Sequence, residues 1–371
     1  MGYGNNFHDL ASLHPHPVQI FRMWQTFLIN VNPLVKMFHA PTVQQMILDA
    51  SGDLKNIARP TEALMFSIYF LSITSLQNEE CESMYGESRP SLLAKYSYAA
   101  QQALINARFL KSLNLFTLQA LILYLVSRIS DIIWLSPPSS AYCFTVIHSE
   151  AKLELGVHHF EPTSIILLPL TSISQLAVRK SHDPHSQWVL SGVVVRIAQR
   201  LGLHRDGSNL KLSPFDAEIR RRTWWQIVFL DGHASRLAGA GYPTWAKFDT
   251  NPPLNISDSD ISPTMKDPPL EKEGATEMIF CCLRYEVGQA LRKAGSPLRS
   301  DDSTWHNPYE VSLIEQKDKA IDELEVLFEK KFVRYCDPAI PLHYLVTVVA
   351  KSVIGTFRIM AVSRIPLFLY L

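Results

Sequence analysis

The chain contains no C-x-x-C pair. Its five cysteines, Cys81, Cys143, Cys281, Cys282 and Cys336, are odd in number and scattered. Neither a cysteine zinc site nor a disulfide framework is expected from that pattern, and buried reduced thiols in an intracellular protein fit it better. Net charge is also lacking: 35 Lys and Arg balance 35 Asp and Glu. A neutral chain exerts no general pull on nucleic acid, so DNA binding by this chain alone is not its default reading. The segment Met1 to His16 has no basic stretch leading into an apolar one, and no secretory signal is read there. The most apolar run, Ala63 to Leu76, is short for a membrane span and carries Ser67, Ser72, Thr74 and Ser75, which predicts a buried helix and no membrane contact. Strand-type alternation is scarce throughout.

What is present is apolar residues at helical spacing. With 371 residues, 47% hydrophobic and 19% charged, the chain can bury one large core or two modest ones. Val18, Ile20, Phe21, Trp24, Phe27, Leu28 and Val31 share a helical period, and Pro33 is expected to stop that helix. Pro41-Thr42 opens a short helix, and Pro60-Thr61 opens the buried one. Ser91 is the expected cap of a helix through Phe109, and Thr117 to Leu125 forms another. After an irregular stretch, helical spacing returns from Trp188 to Leu201. Ser213-Pro214-Phe215-Asp216 is the clearest helix start, with a capping serine, a first-turn proline and a carboxylate at the dipole's positive end. That helix is expected to reach Leu237 and to bury Phe215, Ile219, Trp224, Ile227 and Leu230. Gly239 to Asp267 reads as ordered loop. Helices follow at Ala275–Ala294, Tyr309–Tyr335 and Leu342–Met360. The fold class is all-α, a multi-helix domain with an irregular central insertion.

Motifs of chemistry are mostly near misses. Gly202-Leu-His-Arg-Asp-Gly207-Ser208 lacks the lysine of a phosphate loop and reads as a helix ending at Gly202 with a turn at Asp206-Gly207. His182-Asp-Pro-His185 offers two of the three or four ligands that a zinc site needs, and His158-His159 and His14-x-His16 offer less. Asp301-Asp302 has no carboxylate one turn later, as a magnesium–diphosphate site would require. Ser149-Glu-Ala-Lys152 has none of the partner motifs of S-x-x-K enzymes, and no G-x-S-x-G or H-E-x-x-H occurs. Arg220-Arg221-Arg222 before Trp224-Trp225 could contact nucleic acid. Successive helix residues point about 100° apart, however, and form no flat basic face. Ion pairing with Glu218, Asp216 or Asp231 is the favoured reading.

The block from Val195 to Gly207, followed by Ser213-Pro214-Phe215, Glu218 to Trp225 and Asp231, closely resembles the fungal-specific transcription factor domain, or middle homology region. Pro253-Leu254-Asn255-Ile256-Ser257-Asp258-Ser259-Asp260 resembles that family's proline-leucine-asparagine segment, and Phe38-His39-Ala40-Pro41-Thr42 with the helix after it resembles the family's opening. The resemblance covers most of the chain. It implies an all-α regulatory domain, not an enzyme, acting on DNA-templated transcription in the nucleus. In the family this domain lies downstream of a six-cysteine, two-zinc DNA-binding cluster. The cluster's cysteines are absent here, so no zinc, cofactor or catalytic residue is assigned. DNA is expected to be reached only through a missing head or a partner. The implied partners are the transcription machinery or a co-regulator, with a homodimer left open. The signature positions, expected to be structural, are Gly202, His204, Arg205, Asp206, Arg220, Arg221, Arg222, Trp224, Trp225 and Asp231. Asp231 is expected to reach back to His204, Arg205 or Arg222 and lock the turn to the helix. Two other readings stand beside this one: a ligand- or partner-binding helical module without DNA contact, and an all-α enzyme of terpene-cyclase type.

The chain departs from the family at two places. The domain divides into an N-terminal tail (1–16), a first part (17–125), an irregular insertion (126–177), the remainder (178–361) and an apolar tail (362–371). The insertion shows no helical period, breaks at Pro137-Pro138, and has an apolar run from Ile165 to Leu170. Long structureless loops inside compact domains are uncommon. Both departures begin alike, at Val126-Ser127-Arg128-Ile129 and Val362-Ser363-Arg364-Ile365. A consensus 5′ splice site reads in frame as Val-Ser, so both segments read as translated intron, the alternative being a genuine variable loop and tail.

Overall fold

The computed structural model describes residues 9–127, 184–240, 248–295 and 311–363. Among them every regular element is helical. A 3-10 turn, Ala11–Leu13, is followed by α1 (Pro17–Asn30), α2 (Asn32–Val35), α3 (Ala40–Gly52), α4 (Arg59–Thr74), α5 (Asn78–Tyr85), α6 (Arg89–Asn106) and α7 (Leu115–Val126). Then come α8 (Pro184–Arg200), α9 (Pro214–Leu237), α10 (Ile279–Gly295), α11 (Val311–Lys331) and α12 (Pro341–Ser363). The all-α expectation holds. The insertion beyond Ser127 lies outside the described residues, as do Cys143, Ser149, His182, Asp301 and Asp302.

The first half is built around α4. Its run Ala63 to Thr74 is apolar on every face, and all twelve residues are buried, as suits a helix enclosed by neighbours rather than resting on them. Helices α1, α6 and α7 pack around it. Its hydroxyls need not leave the core to find partners: Ser67 donates to Ala63 O (2.9 Å), Thr74 to Phe70 O (2.6 Å), and Ser72 to both Ile68 O and Met23 O. No described helix is long and apolar enough to cross a membrane. In the second half α8 lies along α9, and α12 packs against α10 and α11. The halves meet where α7 touches α8 and α9 and where α2 touches α10, and one continuous core runs through both.

Several boundaries move. Pro33 does not stop α1 so much as start α2, where its fixed φ suits a first turn. The cap position of α6 is Ser88; Ser91 lies inside the helix and donates to Glu87. Helix α5 is absent from the apolar pattern because Cys81 is its one buried residue, and the Glu80 carboxylate, accepting from Gln77 N at 2.7 Å, supports its start instead. Val126, the first residue of the expected insertion, closes α7, and Val362-Ser363, the first residues of the expected tail, close α12. The start of α9 is as expected: Ser213 Oγ accepts from Asp216 N at 3.1 Å and donates to Asp216 Oδ2 at 2.7 Å. Its facing is broader than the sequence suggests. Phe215 is only half-buried, whereas Ala217, Thr223, Trp225, Gln226 and Ala234 join Ile219, Trp224, Ile227 and Leu230 in the interior.

Trp224 is fully buried, with its ring 5.3 Å from that of Phe248. Trp224→Ala is expected to destabilise the fold by roughly 3–5 kcal/mol, the usual cost of emptying a site filled by a large aromatic. A lower denaturation midpoint at unchanged m-value checks it; a midpoint equal to the parent's would mean that the side chain is not buried.

Candidate functional site: a buried charge network around helix α9

The signature residues gather around α9 and the turn before it. Helix α8 ends at Gly202, whose φ of +77° is left-handed and suited to glycine, and Leu203 N closes the end by donating to Ala198 O (3.0 Å). The turn then folds against α9 so closely that a Cβ on Gly207 would lie 2.7 Å from the Ala217 Cα. Asp206 sits at the centre of this turn. Its carboxylate accepts both Nε (2.8 Å) and Nη2 (2.7 Å) of Arg221, the Ser208 hydroxyl and amide, and Asn251 N at 2.9 Å. Burial opposes its charge, but Arg221, Ser208 and Asn251 outweigh that and hold the carboxyl well below the usual carboxylate range. Asp249 N donates to His204 O and Thr250 Oγ1 donates to Leu203 O, so the turn, the returning 249–251 strand-like segment and α9 are tied at one point.

One residue further along α9, Arg222 enters a second cluster. It is fully buried and donates to Glu218 Oε1 (3.1 Å) and Asp258 Oδ1 (2.8 Å). Asp258 Oδ2 accepts Lys36 Nζ at 2.8 Å and the amide of Ala40 at 2.9 Å, which opens α3. Lys36 also pairs with Glu277. His39 completes the set: its Nε2 donates to the Asp258 carbonyl (3.0 Å), which leaves Nδ1 to accept from Thr42 Oγ1 (2.7 Å). Burial disfavours ionisation of Asp258, yet Arg222 and Lys36 prevail and its carboxyl lies below the ordinary value. In Glu218 burial prevails instead and raises the carboxyl despite Arg222. Lys36 is 1% exposed and held at φ 26°, ψ 54°, left-handed for a non-glycine residue, a strain of order 1–3 kcal/mol.

The remaining signature residues have structural places too. Arg220 donates to Leu201 O at 2.9 Å, Trp225 Nε1 donates to Asn251 O at 3.0 Å, and the Trp224 ring lies 6.3 Å from the His204 ring, tilted against it. Arg205 is exposed. The expected pairing of Asp231 is corrected: its Oδ1 accepts from Ser191 Oγ (2.6 Å), tying α9 to α8. Nine residues separate it from Arg222, about 13 Å along the axis, too far for the two to meet. Asp216 likewise serves its helix cap and not an arginine. Sequence reasoning assigned no role to Lys36, Asp258 or Glu277. A signal existed for the first, a lone lysine within Pro33-Leu-Val-Lys-Met-Phe-His39, and for the second, in the segment around Asp258 whose resemblance had been noted.

Chemically, this arrangement fastens segments together. Its carboxylates face cations, hydroxyls or backbone amides, and among the described residues no group of three His, Cys, Asp or Glu side chains is placed to hold a metal ion. Two open grooves, of about 590 Å³ between α3 and α4 and about 540 Å³ along α1, take in no charged member of the network.

The folded pKa of Asp206 is lowered, so its ionised form adds stability that is fully present above the unfolded value of about 3.9 and is lost progressively as pH falls from there toward the much lower folded value. Asp206→Asn is expected to cost about 1.5–3 kcal/mol near neutrality. The difference from the parent should shrink below about pH 4. Denaturation at a series of pH values tests this, and a gap that persists in acid would show that the loss is not the charge's.

Residues 175–272 match the family described as fungal specific transcription factor domain. Over 95% of its length the chain is 35% identical to the aurofusarin cluster transcription factor aurR2 of Gibberella zeae, covering 44% of that protein. Transcriptional regulator AacuB of Aspergillus aculeatus is 32% identical over 91% of the chain and 39% of its own length. The pyriculol/pyriculariol biosynthesis cluster transcription factor 1 of Pyricularia oryzae is 33% identical over 89% and 39%. The chain thus spans less than half the length of these relatives. No solved structure matches it. The matched stretch contains Asp206, Arg221, Arg222 and Asp258, the centres of both clusters, and the chain carries a fungal specific transcription factor domain.

Proposed function

We propose that the chain is the regulatory domain of a fungal transcription factor. It acts in the nucleus on DNA-templated transcription, through the transcription machinery or a co-regulator and not as an enzyme. The observation that carries this is the coincidence of the family match with the buried network: the matched block holds the centres of both charge clusters. DNA specificity belongs, on this reading, to a zinc-cluster segment or a partner outside these 371 residues, because the chain is neutral overall and has no cysteine cluster. Fused to a heterologous DNA-binding domain in a fungal reporter strain, the chain is expected to change reporter output relative to the binding domain alone. The purified chain is expected to shift DNA no more than a neutral control protein does. Unchanged output from a stably expressed, nuclear fusion would overturn the regulatory reading, and a salt-sensitive, sequence-specific shift would overturn the division of labour.

The insertion is best accounted for as translated intron. Helix α7 runs to Val126, α8 packs against α7, and the family match begins at residue 175. Loop-closure cost changes slowly with length, so removing residues 126–175 should leave stability equal or slightly improved. Messenger reads are expected to join Leu125 to about Leu176. A spliced messenger that retains the segment, together with unfolding on its deletion, would make it a structural element.

A further inference from the structure

We propose that the surface where the α6–α7 turn meets the end of α8 binds an acidic peptide segment whose carboxylates alternate with apolar side chains. Three pieces of chain adjoin there. Arg200 Nη2 donates to Ser112 O at 2.9 Å, joining α8 to the turn, and on its other side Gly202 borders Leu210, with 4.0 Å between an added Cβ and the Leu210 Cδ1. The surface they form presents Lys111, Arg200 and Lys211, all exposed, with Leu110 (55% exposed), Leu113 (65%) and Leu210 (42%) among them. Lys211 stands on a left-handed backbone, φ 55°, which no helix or strand requires of it.

The carboxylates nearest in the chain are already engaged. Asp206 takes Arg221, Asp249 takes the Asp206 amide and Asn209, and Asp216 is part of the cap with Ser213. Ala107 to Leu115 contains cations and no carboxylate. Because the whole chain is neutral, this local excess is matched by acidity elsewhere, as on α5 with its exposed Glu79, Glu80 and Glu82. Arg200, in the last turn of α8, is favoured by that helix's dipole, whereas Lys111 lies beyond the end of α6 and Lys211 just before the start of α9, where no dipole accounts for them. Nor does a dipole explain the exposed leucines beside them, whose uncovered apolar surface would be buried by an apolar side chain of a partner. Carboxylates alternating with apolar groups complement both features at once. A nucleic-acid backbone would use the cations only, and the aromatic of the turn, Phe109, is half-buried and not laid out for base stacking.

The test uses the full chain and a short fluorescent peptide of alternating glutamate and leucine, read by anisotropy. Saturable binding that weakens with salt is expected, with none for the same peptide carrying glutamine in place of glutamate. Lys111→Glu with Lys211→Glu, and separately Leu110→Ser with Leu113→Ser, are each expected to weaken binding by about tenfold or more at an unchanged melting transition. Equal binding of the glutamine peptide, or undiminished binding by both variants, would overturn the proposal. So would a single-stranded oligonucleotide of the same charge that binds as tightly to this surface, which would make it a nucleic-acid surface instead.

Discussion

The fold depends on the carboxylate of Asp258. One oxygen faces Arg222 from α9; the other faces Lys36 from the end of α2 and the first amide of α3. Residues from positions 36, 40, 222 and 258 converge there, inside the protein, where an uncompensated charge is costly. A cluster of this kind is complete or strongly unfavourable. Removing one partner of a buried ion pair typically costs about 3–5 kcal/mol, although an apolar replacement of the whole pair is often neutral. What the cluster supplies is therefore mostly geometric. It fixes which segments meet and in what register, while net stability comes from the apolar interior around α4 and α9.

The three consecutive arginines show how one helix can serve three segments. Each residue turns about 100° from the last. Arg220 reaches the end of α8 at Leu201 O, Arg221 takes the turn through Asp206, and Arg222 takes the N-terminal half through Asp258. The same angular spread that argues against a flat nucleic-acid face makes a three-way fastener. Bidentate geometry matters at the second point, since Nε and Nη2 of Arg221 both bond Asp206, and a lysine there would supply one contact and no fork.

How far the sequence reveals this depends on the range of the interaction. Elements set by local rules were legible: the Ser213-Pro214 start of α9, the glycine end of α8 at Gly202, and the enclosed helix α4 follow from caps, left-handed φ and an apolar run. Helix α5 was not, because its support is a glutamate cap and one buried cysteine, not a periodic stripe. Of the site, the turn's structural nature and the ion pairing of the arginines could be read, and the partners could not. Glu218 lies one helical turn from Arg222, within reach of a local rule, whereas Asp258 is 36 residues further on and Lys36 is 222 residues from Asp258. Asp231 illustrates the opposite error. A carboxylate on the same helix was paired with the nearest named cations, while its hydrogen bond goes across to Ser191 on α8. Spacing along a helix predicts what shares a face, and says nothing of what the tertiary fold brings to that face.

Burial of the signature has a functional corollary. Asp206, Arg222, Trp224, Trp225 and Asp231 are all at most 3% exposed, so an external partner can touch none of them without unfolding the domain. Relatives that share this block share a scaffold, and the block itself cannot distinguish one target or co-regulator from another. Discrimination has to reside in exposed positions, where side chains change at little cost to the fold. Arg205 is the one exposed charged residue in the stretch from Gly202 to Asp206, beside a turn whose other charge is consumed internally. The scaffold thus holds its outward-facing side chains on a rigid, pre-paired base. The Arg220–Leu201 bond joins the end of α8 to α9, the helix that carries the arginines of both ion clusters.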